Sequence, residues 1–101
     1  MIFRRIEFGS DDFRKECDLR DRILRVPLSR SLFDEDLSGE KDQCHFGLFD
    51  DDGGLLTCII AVPLSSTHAK IRQMAVSEVF QNQGCGRQII RNLETSLGKY
   101  E

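Results

Sequence analysis

Apolar and polar residues change rhythm several times along the chain, and each change marks an element. Ile2, Ile6 and Phe8 lie on one side of a partly alternating stretch, which predicts a first strand over residues 2–8, at a sheet edge. Gly9-Ser10-Asp11-Asp12 ends it and opens a helix: Ser10 is a good N-cap, and Asp11 and Asp12 suit the positive end of the helix dipole. Phe13, Cys17 and Leu24 then recur on one helical face beside Ile23, and Pro27 stops the helix near Val26. Residues 28–43 are polar and acidic and read as a long loop with a short helical turn over residues 31–37.

Cys44–Phe49 predicts a second strand, and Asp50-Asp51-Asp52-Gly53-Gly54 a hairpin turn. Residues 55–64 are apolar almost without a break, so a third strand with both faces covered is expected, ending near Pro63. A fourth strand, residues 69–76, changes phase. Ala69 and Ile71 have one parity and Met74 and Val76 the other. Either both faces are buried or a bulge near residues 72–74 inserts an extra residue; the bulge is the preferred reading. Finally Ile89, Ile90, Leu93 and Leu97 form an apolar helical stripe closed by Gly98 at the C-cap position.

Composition narrows the class. At 101 residues, 40% hydrophobic and 31% charged, the chain suits one small globular domain, residues 1–101. A net charge of -3 argues against a nucleic-acid partner, which needs a basic surface. Arg14, Lys15, Arg20, Arg22, Arg25 and Arg30 cluster early, and Asp34, Glu35, Asp36, Glu40 and Asp42 follow; a solvated helix face and an acidic loop are expected. The longest apolar run, residues 58–64, is too short to span a membrane, and residues 1–5 do not open a signal peptide. Cys17, Cys44, Cys58 and Cys85 show no CxxC pair, so a reduced cytoplasmic protein with buried thiols is expected. The three aspartates before Gly53 lack the ligand spacing of an EF-hand, and no metal site is expected there.

Chemistry concentrates where the fourth strand runs into the last helix. Gln81-Asn82-Gln83-Gly84-Cys85-Gly86 stands at the start of that helix. A helix start presents backbone N–H groups without internal acceptors and a partial positive charge, and glycines let a ligand approach them. Strand, glycine loop and helix together make an anion cradle. A nucleotide-binding loop is a poorer match, because no Gly-Lys-Ser/Thr follows, and Ile89 stands where a dinucleotide fingerprint has a small residue.

The order strand, helix, strand, hairpin, strand, bulged strand, glycine loop, helix resembles the first two-thirds of the GCN5-related N-acetyltransferase (GNAT) fold. The likeness is strongest over residues 70–93, where Gln81-x-x-Gly84-x-Gly86 matches the family's acyl-CoA motif after the strand end Met74-Ala75-Val76. The resemblance implies an α+β fold of the three-layer α/β type: a mixed, largely antiparallel sheet with helices on both faces. It implies acetyl transfer from acetyl-CoA to a small-molecule or peptide amine. The amides of about Gln83 to Arg87 would hold the pyrophosphate, with side-chain help from Asn82, Gln83 and Arg87. The backbone of Met74, Ala75 and Val76 would pair with the pantetheine arm, and Gln81, Gly84, Cys85 and Gly86 complete the cofactor-binding set.

The family usually continues past this helix with a second wall of the cleft, carrying a tyrosine that protonates the leaving thiolate. Tyr100 does not match that position. A truncated domain, or a homodimer or higher oligomer whose second copy completes the cleft, is therefore expected, with pairing at the edge of residues 69–76. Many members also place a glutamate in the fourth strand as general base, where this chain reads Ile71-Arg72-Gln73. The candidates left are Glu78, which also reads as a turn residue, and His68, which also reads as a surface histidine. A non-catalytic CoA-binding or assembly module is the alternative to an enzyme.

Overall fold

The computed structural model describes residues 1–65 and 68–97, without the side chains of residues 96 and 97. The expected Gly98 cap, Tyr100 and the Leu97 end of the helical stripe lie outside the described residues. The elements are strand β1 (Ile2–Ile6), helix α1 (Asp11–Arg20), strands β2 (Cys44–Phe49), β3 (Leu55–Pro63) and β4 (Ala69–Val76), and helix α2 (Cys85–Leu97). The strands form one sheet in the order β1-β2-β3-β4, and each of these pairings is antiparallel.

Helices cover both faces, and strand parity assigns the residues. Phe46 and Leu48 of β2 and Ile59 and Ala61 of β3 pack with Ile89 and Leu93 of α2. The alternate positions turn to the other side: Phe49 packs with Phe13 and Cys17 of α1, and Cys58 packs with Leu19. β3 lies between the two helices, which is why its sequence reads as an unbroken apolar run. β1 also serves both faces. Ile6 is buried on the α1 side, whereas Phe3 stacks on Phe46, ring centroids 5.3 Å apart, on the α2 side. Ile2 and Ile6 share a face as expected, but the strand ends at Ile6, with Phe8 beyond it and partly exposed.

Ser10 caps α1 as expected, its hydroxyl accepting from the Phe13 N–H at 3.1 Å. The helix does not run regularly to Val26. After Arg20 it widens into a π-helical turn, Asp21–Arg25, and then tightens into a 3-10 turn, Val26–Leu28, around Pro27. A π turn shifts the phase of the apolar face, so Leu24 does not continue the line of Phe13 and Cys17. The 28–43 segment is more ordered than a plain loop, with further 3-10 turns at Leu32–Asp34 and Ser38–Asp42. Leu32 plugs into the core beside Phe13 and Phe49.

The reading of the early basic cluster as a solvated face needs one correction. Arg20 and Glu16 are both fully buried, and Glu40 and His45 are buried with them. Arg20 donates to Glu16 at 2.9 Å and to both oxygens of Glu40 at 2.8 and 2.7 Å. His45 donates from Nδ1 to Glu16 at 2.9 Å and from Nε2 to the Glu40 carbonyl at 2.9 Å. The Glu40 carbonyl can only accept, so Nε2 carries a proton, and the carboxylate oxygens of Glu16 make Nδ1 a donor as well. Two carboxylates, a guanidinium and an imidazolium then balance without solvent, which is how a buried charge survives. Helix α1 thereby holds the acidic segment through Glu40.

This cluster predicts a pH dependence. Burial by itself lowers the His45 pKa, but the hydrogen bond and charge of Glu16, with the Glu40 carbonyl, outweigh it and hold the pKa above the ordinary 6.5. A group whose pKa is raised on folding stabilises fully below its unfolded pKa, and that stabilisation is lost as pH rises through the folded value. The groups facing His45 are Glu16 of α1, Glu40, and the Phe8 and Phe13 rings, with Arg20 behind the two carboxylates it pairs with. Urea denaturation at stepped pH should therefore show stability falling above pH 6.5, with the fall absent in His45→Gln and retained in His68→Gln. A flat profile in the unsubstituted protein would contradict a charged His45.

Candidate functional site

The phase change in β4 is a bulge. Cys58 pairs with Ala75 and Ile60 with Arg72, so one residue of β3 faces two of β4, Gln73 and Met74. Gln73 takes a left-handed backbone, φ +52°. The extra residue restores the apolar side. Ile71 lies opposite Ala61, which packs on α2, and Met74 and Val76 lie against the first turn of α2 near Gly86. Bulges leave ladder groups without strand partners, open to another acceptor or donor.

The loop after β4 is held by its own side chains. The Gln81 amide donates to the Val76 carbonyl at 3.2 Å, and the Gln83 amide to the Val79 carbonyl at 3.0 Å. Asn82 and Gly84 are left-handed, φ +64° and +81°. Gly84 immediately precedes α2, its carbonyl accepting from the Gln88 N–H at 2.9 Å. The N–H groups of the first turn, around residues 85–87, have no acceptor within the helix. No acidic residue stands in that turn to compete with an anion.

Bulge, loop and helix start surround one cleft of about 310 Å³. Met74, Ala75, Val76, Gln81, Asn82, Gly84, Cys85 and Gly86, eight of the ten residues that the family resemblance grouped, line it. Gln83 and Arg87 are exposed and do not line it. Two lining residues, Ile23 and Phe80, were not anticipated. Ile23 arrives through the π turn, a feature no residue pattern announced. Gly86 forms part of the wall: a Cβ there would lie 3.6 Å from Met74 Cε and 3.7 Å from Val76 Cγ2. Cys85 is buried at 4% exposure and fills the position between the glycines.

The two candidate bases are placed differently. Glu78 lies beyond the end of β4 in an ion pair with Arg22, Nε to Oε2 3.2 Å, and that hydrogen bond lowers its pKa. His68 precedes β4, about 20 Å from Met74 at the rise of an extended strand. Neither lines the cleft, and among the described residues its lining holds no carboxylate or imidazole. All four cysteines are free thiols; Cys44 is half-buried, contrary to expectation, and the other three are buried. Burial pushes the Cys17 thiol up to about 11, so it stays protonated near neutral pH. Glu16, Glu40 and His45 also converge closely enough to hold a metal ion. Arg20 bridges Glu16 and Glu40 and already supplies the positive charge.

An antiparallel sheet with a bulged fourth strand, a glycine loop and a helix aimed at the bulge defines an acyltransferase-type α+β fold. A sequence model of the Acetyltransferase (GNAT) family matches residues 11–100, and the chain belongs to that family. Solved structures share the fold. A GNAT-family acetyltransferase from Staphylococcus aureus Mu50 superposes with a TM-score of 0.74 at 10% identity, covering 96% of this chain and 67% of that one. Rv2747 from Mycobacterium tuberculosis, solved with CoA, gives 0.68 at 22% identity over 97% and 58% of the two chains. An aminoglycoside 6'-N-acetyltransferase complexed with coenzyme A gives 0.68 at 17% identity over 97% and 56%. The chain thus spans 56% to 67% of the length of these three proteins. No curated protein matches it. Among the described residues, no helix is long and apolar enough to cross a membrane.

Proposed function

We propose that the protein is an N-acetyltransferase that moves an acetyl group from acetyl-CoA to a primary amine by direct attack. The observation that carries this reading is the single cleft joining the β4 bulge, the glycine loop and the first turn of α2, in a chain of this family. The residues fit the donor. Unpaired amides at residues 84–87 would hold its phosphates, and the Gly86 wall leaves room beside Met74 and Val76. The backbone of Met74, Ala75 and Val76 would pair with the amide arm, and a bulge N–H would face the thioester oxygen and stabilise its developing charge. The amine nitrogen then forms the new C–N bond and gives up a proton, while the C–S bond breaks and the sulfur takes a proton.

The absence of a carboxylate or imidazole from the described cleft lining favours a second reading, a CoA-binding or assembly module without turnover. Ile71 and Met74 are exposed on β4, an edge strand of the described sheet. A second copy is the occupant we assign to that edge. The free thiols support a cytoplasmic location, which cell fractionation would check.

Acetyl-CoA at a hundred times its Kd should stabilise the fold by about 2.7 kcal/mol. That is a rise of several degrees in Tm for a domain of this size. Light scattering on the same sample reports dimer or monomer, and thiol release with a panel of amines reports turnover. Stabilisation without thiol release selects the module. No shift at millimolar acetyl-CoA in a folded sample removes both readings.

A further inference from the structure

The π turn Asp21–Arg25 separates two depressions. Ile23 faces the cleft described above, and Leu24 and Arg25 line a neighbouring hollow of about 460 Å³ together with Arg30, Asp34 and Glu35 of the 28–43 segment. Arg25 reaches from one to the other. Its Nε and Nη2 donate to the two oxygens of Glu35, at 2.5 and 3.2 Å, and Nη2 also donates to Oε1 of Gln73 at 3.0 Å. Its side chain is only 14% exposed. Gln73 is the left-handed residue of the bulge, outside the strand register and strained for a residue with a Cβ. Such a conformation persists where its surroundings hold it, and Arg25 is the group that grips its side chain.

We propose that Arg25 is a positioning residue of the acyl-transfer site: it fixes the Gln73–Met74 bulge and docks the 28–43 segment against it through Glu35. This rests on the reading of the cleft as an acyl-CoA site. Arg25 does not line that cleft, so its influence falls on the bulge end and leaves the glycine-loop end alone. Lysine is a poor replacement, because one ammonium group cannot present a planar fork to Glu35 and still reach Gln73.

Residue-resolved amide hydrogen exchange tests this on the unsubstituted protein, Arg25→Ala and Arg25→Lys, with and without saturating acetyl-CoA. Without ligand, exchange at residues 73–75 and 32–36 should speed up at least tenfold in Arg25→Ala and by an intermediate amount in Arg25→Lys, with β3 and α2 unchanged. With acetyl-CoA, both variants should still protect residues 84–87, while protection at residues 73–75 drops at least tenfold below that of the unsubstituted protein. Unchanged exchange at 73–75 in Arg25→Ala overturns the proposal, as does uniform acceleration across β3 and α2, which would mark a general structural role. If acetyl-CoA fails to protect residues 84–87 in the unsubstituted protein, the cofactor reading falls, and the ligand-free comparison alone decides whether Arg25 holds the bulge.

Discussion

Arg20→Ala should lower the unfolding free energy by about 3–5 kcal/mol, the range seen when one partner is removed from a buried ion pair. A domain of this kind has only about 5–15 kcal/mol to lose, so the variant should be partly unfolded at room temperature or melt tens of degrees lower. The cause is specific. Removing the guanidinium leaves the buried Glu16 carboxylate with only His45 as partner and takes both Arg20 hydrogen bonds from the Glu40 carboxylate. It also frees the Ser38–Asp42 turn from α1, since Arg20 makes both hydrogen bonds to the Glu40 carboxylate. Arg20→Met with Glu40→Met removes opposite charges together and leaves Glu16 paired with His45. That double variant should recover much of the loss. Urea denaturation of Arg20→Met, Glu40→Met and the double completes a double-mutant cycle, with a coupling of at least 2 kcal/mol expected. A loss below about 1 kcal/mol in Arg20→Ala would mean that the four groups are not a closed cluster.

The same residues explain what the sequence could and could not convey. Glu16 and Arg20 stand four apart on a helix, the spacing of an ordinary surface pair, and no local signal distinguishes a buried pair from a solvated one. Burial is decided by Glu40 and His45, which arrive from the 28–43 segment and β2. Long-range partnership of that kind leaves no periodicity. By contrast, each strand was legible because covering by helices leaves a direct trace: the unbroken run in β3, the parity change in β4. The bulge was readable for the same reason, since an inserted residue must shift the apolar phase to keep Ile71 and Met74 on one side. The glycine loop was readable from local chemistry, whereas the joining of Met74, Ala75 and Val76 to it came from the family resemblance. The π turn was not readable, because it follows no residue preference here. With it went Ile23 in the cleft wall and the Arg25 link to Gln73.

The two motif glycines should respond to substitution in opposite ways. Gly84 has φ +81°, and a Cβ built there meets nothing within 4 Å, so what it supplies is backbone freedom. Gly84→Ala should therefore cost about 1–2 kcal/mol of stability. Gly86 has ordinary helical surroundings, and its Cβ would lie at comfortable contact, 3.6 Å or more, from Met74 and Val76. Gly86→Ala should fold normally and gain up to about 1 kcal/mol, because alanine is the better helix former. That added methyl group, however, points into the wall of the cleft. Acetyl-CoA affinity should fall at least tenfold in Gly86→Ala, and the ligand-induced rise in Tm should vanish in Gly86→Leu. A protein made more stable yet unable to bind separates a ligand-contact role for Gly86 from a folding role. Should Gly86→Leu show the same acetyl-CoA shift as the unsubstituted protein, the donor does not lie in this cleft.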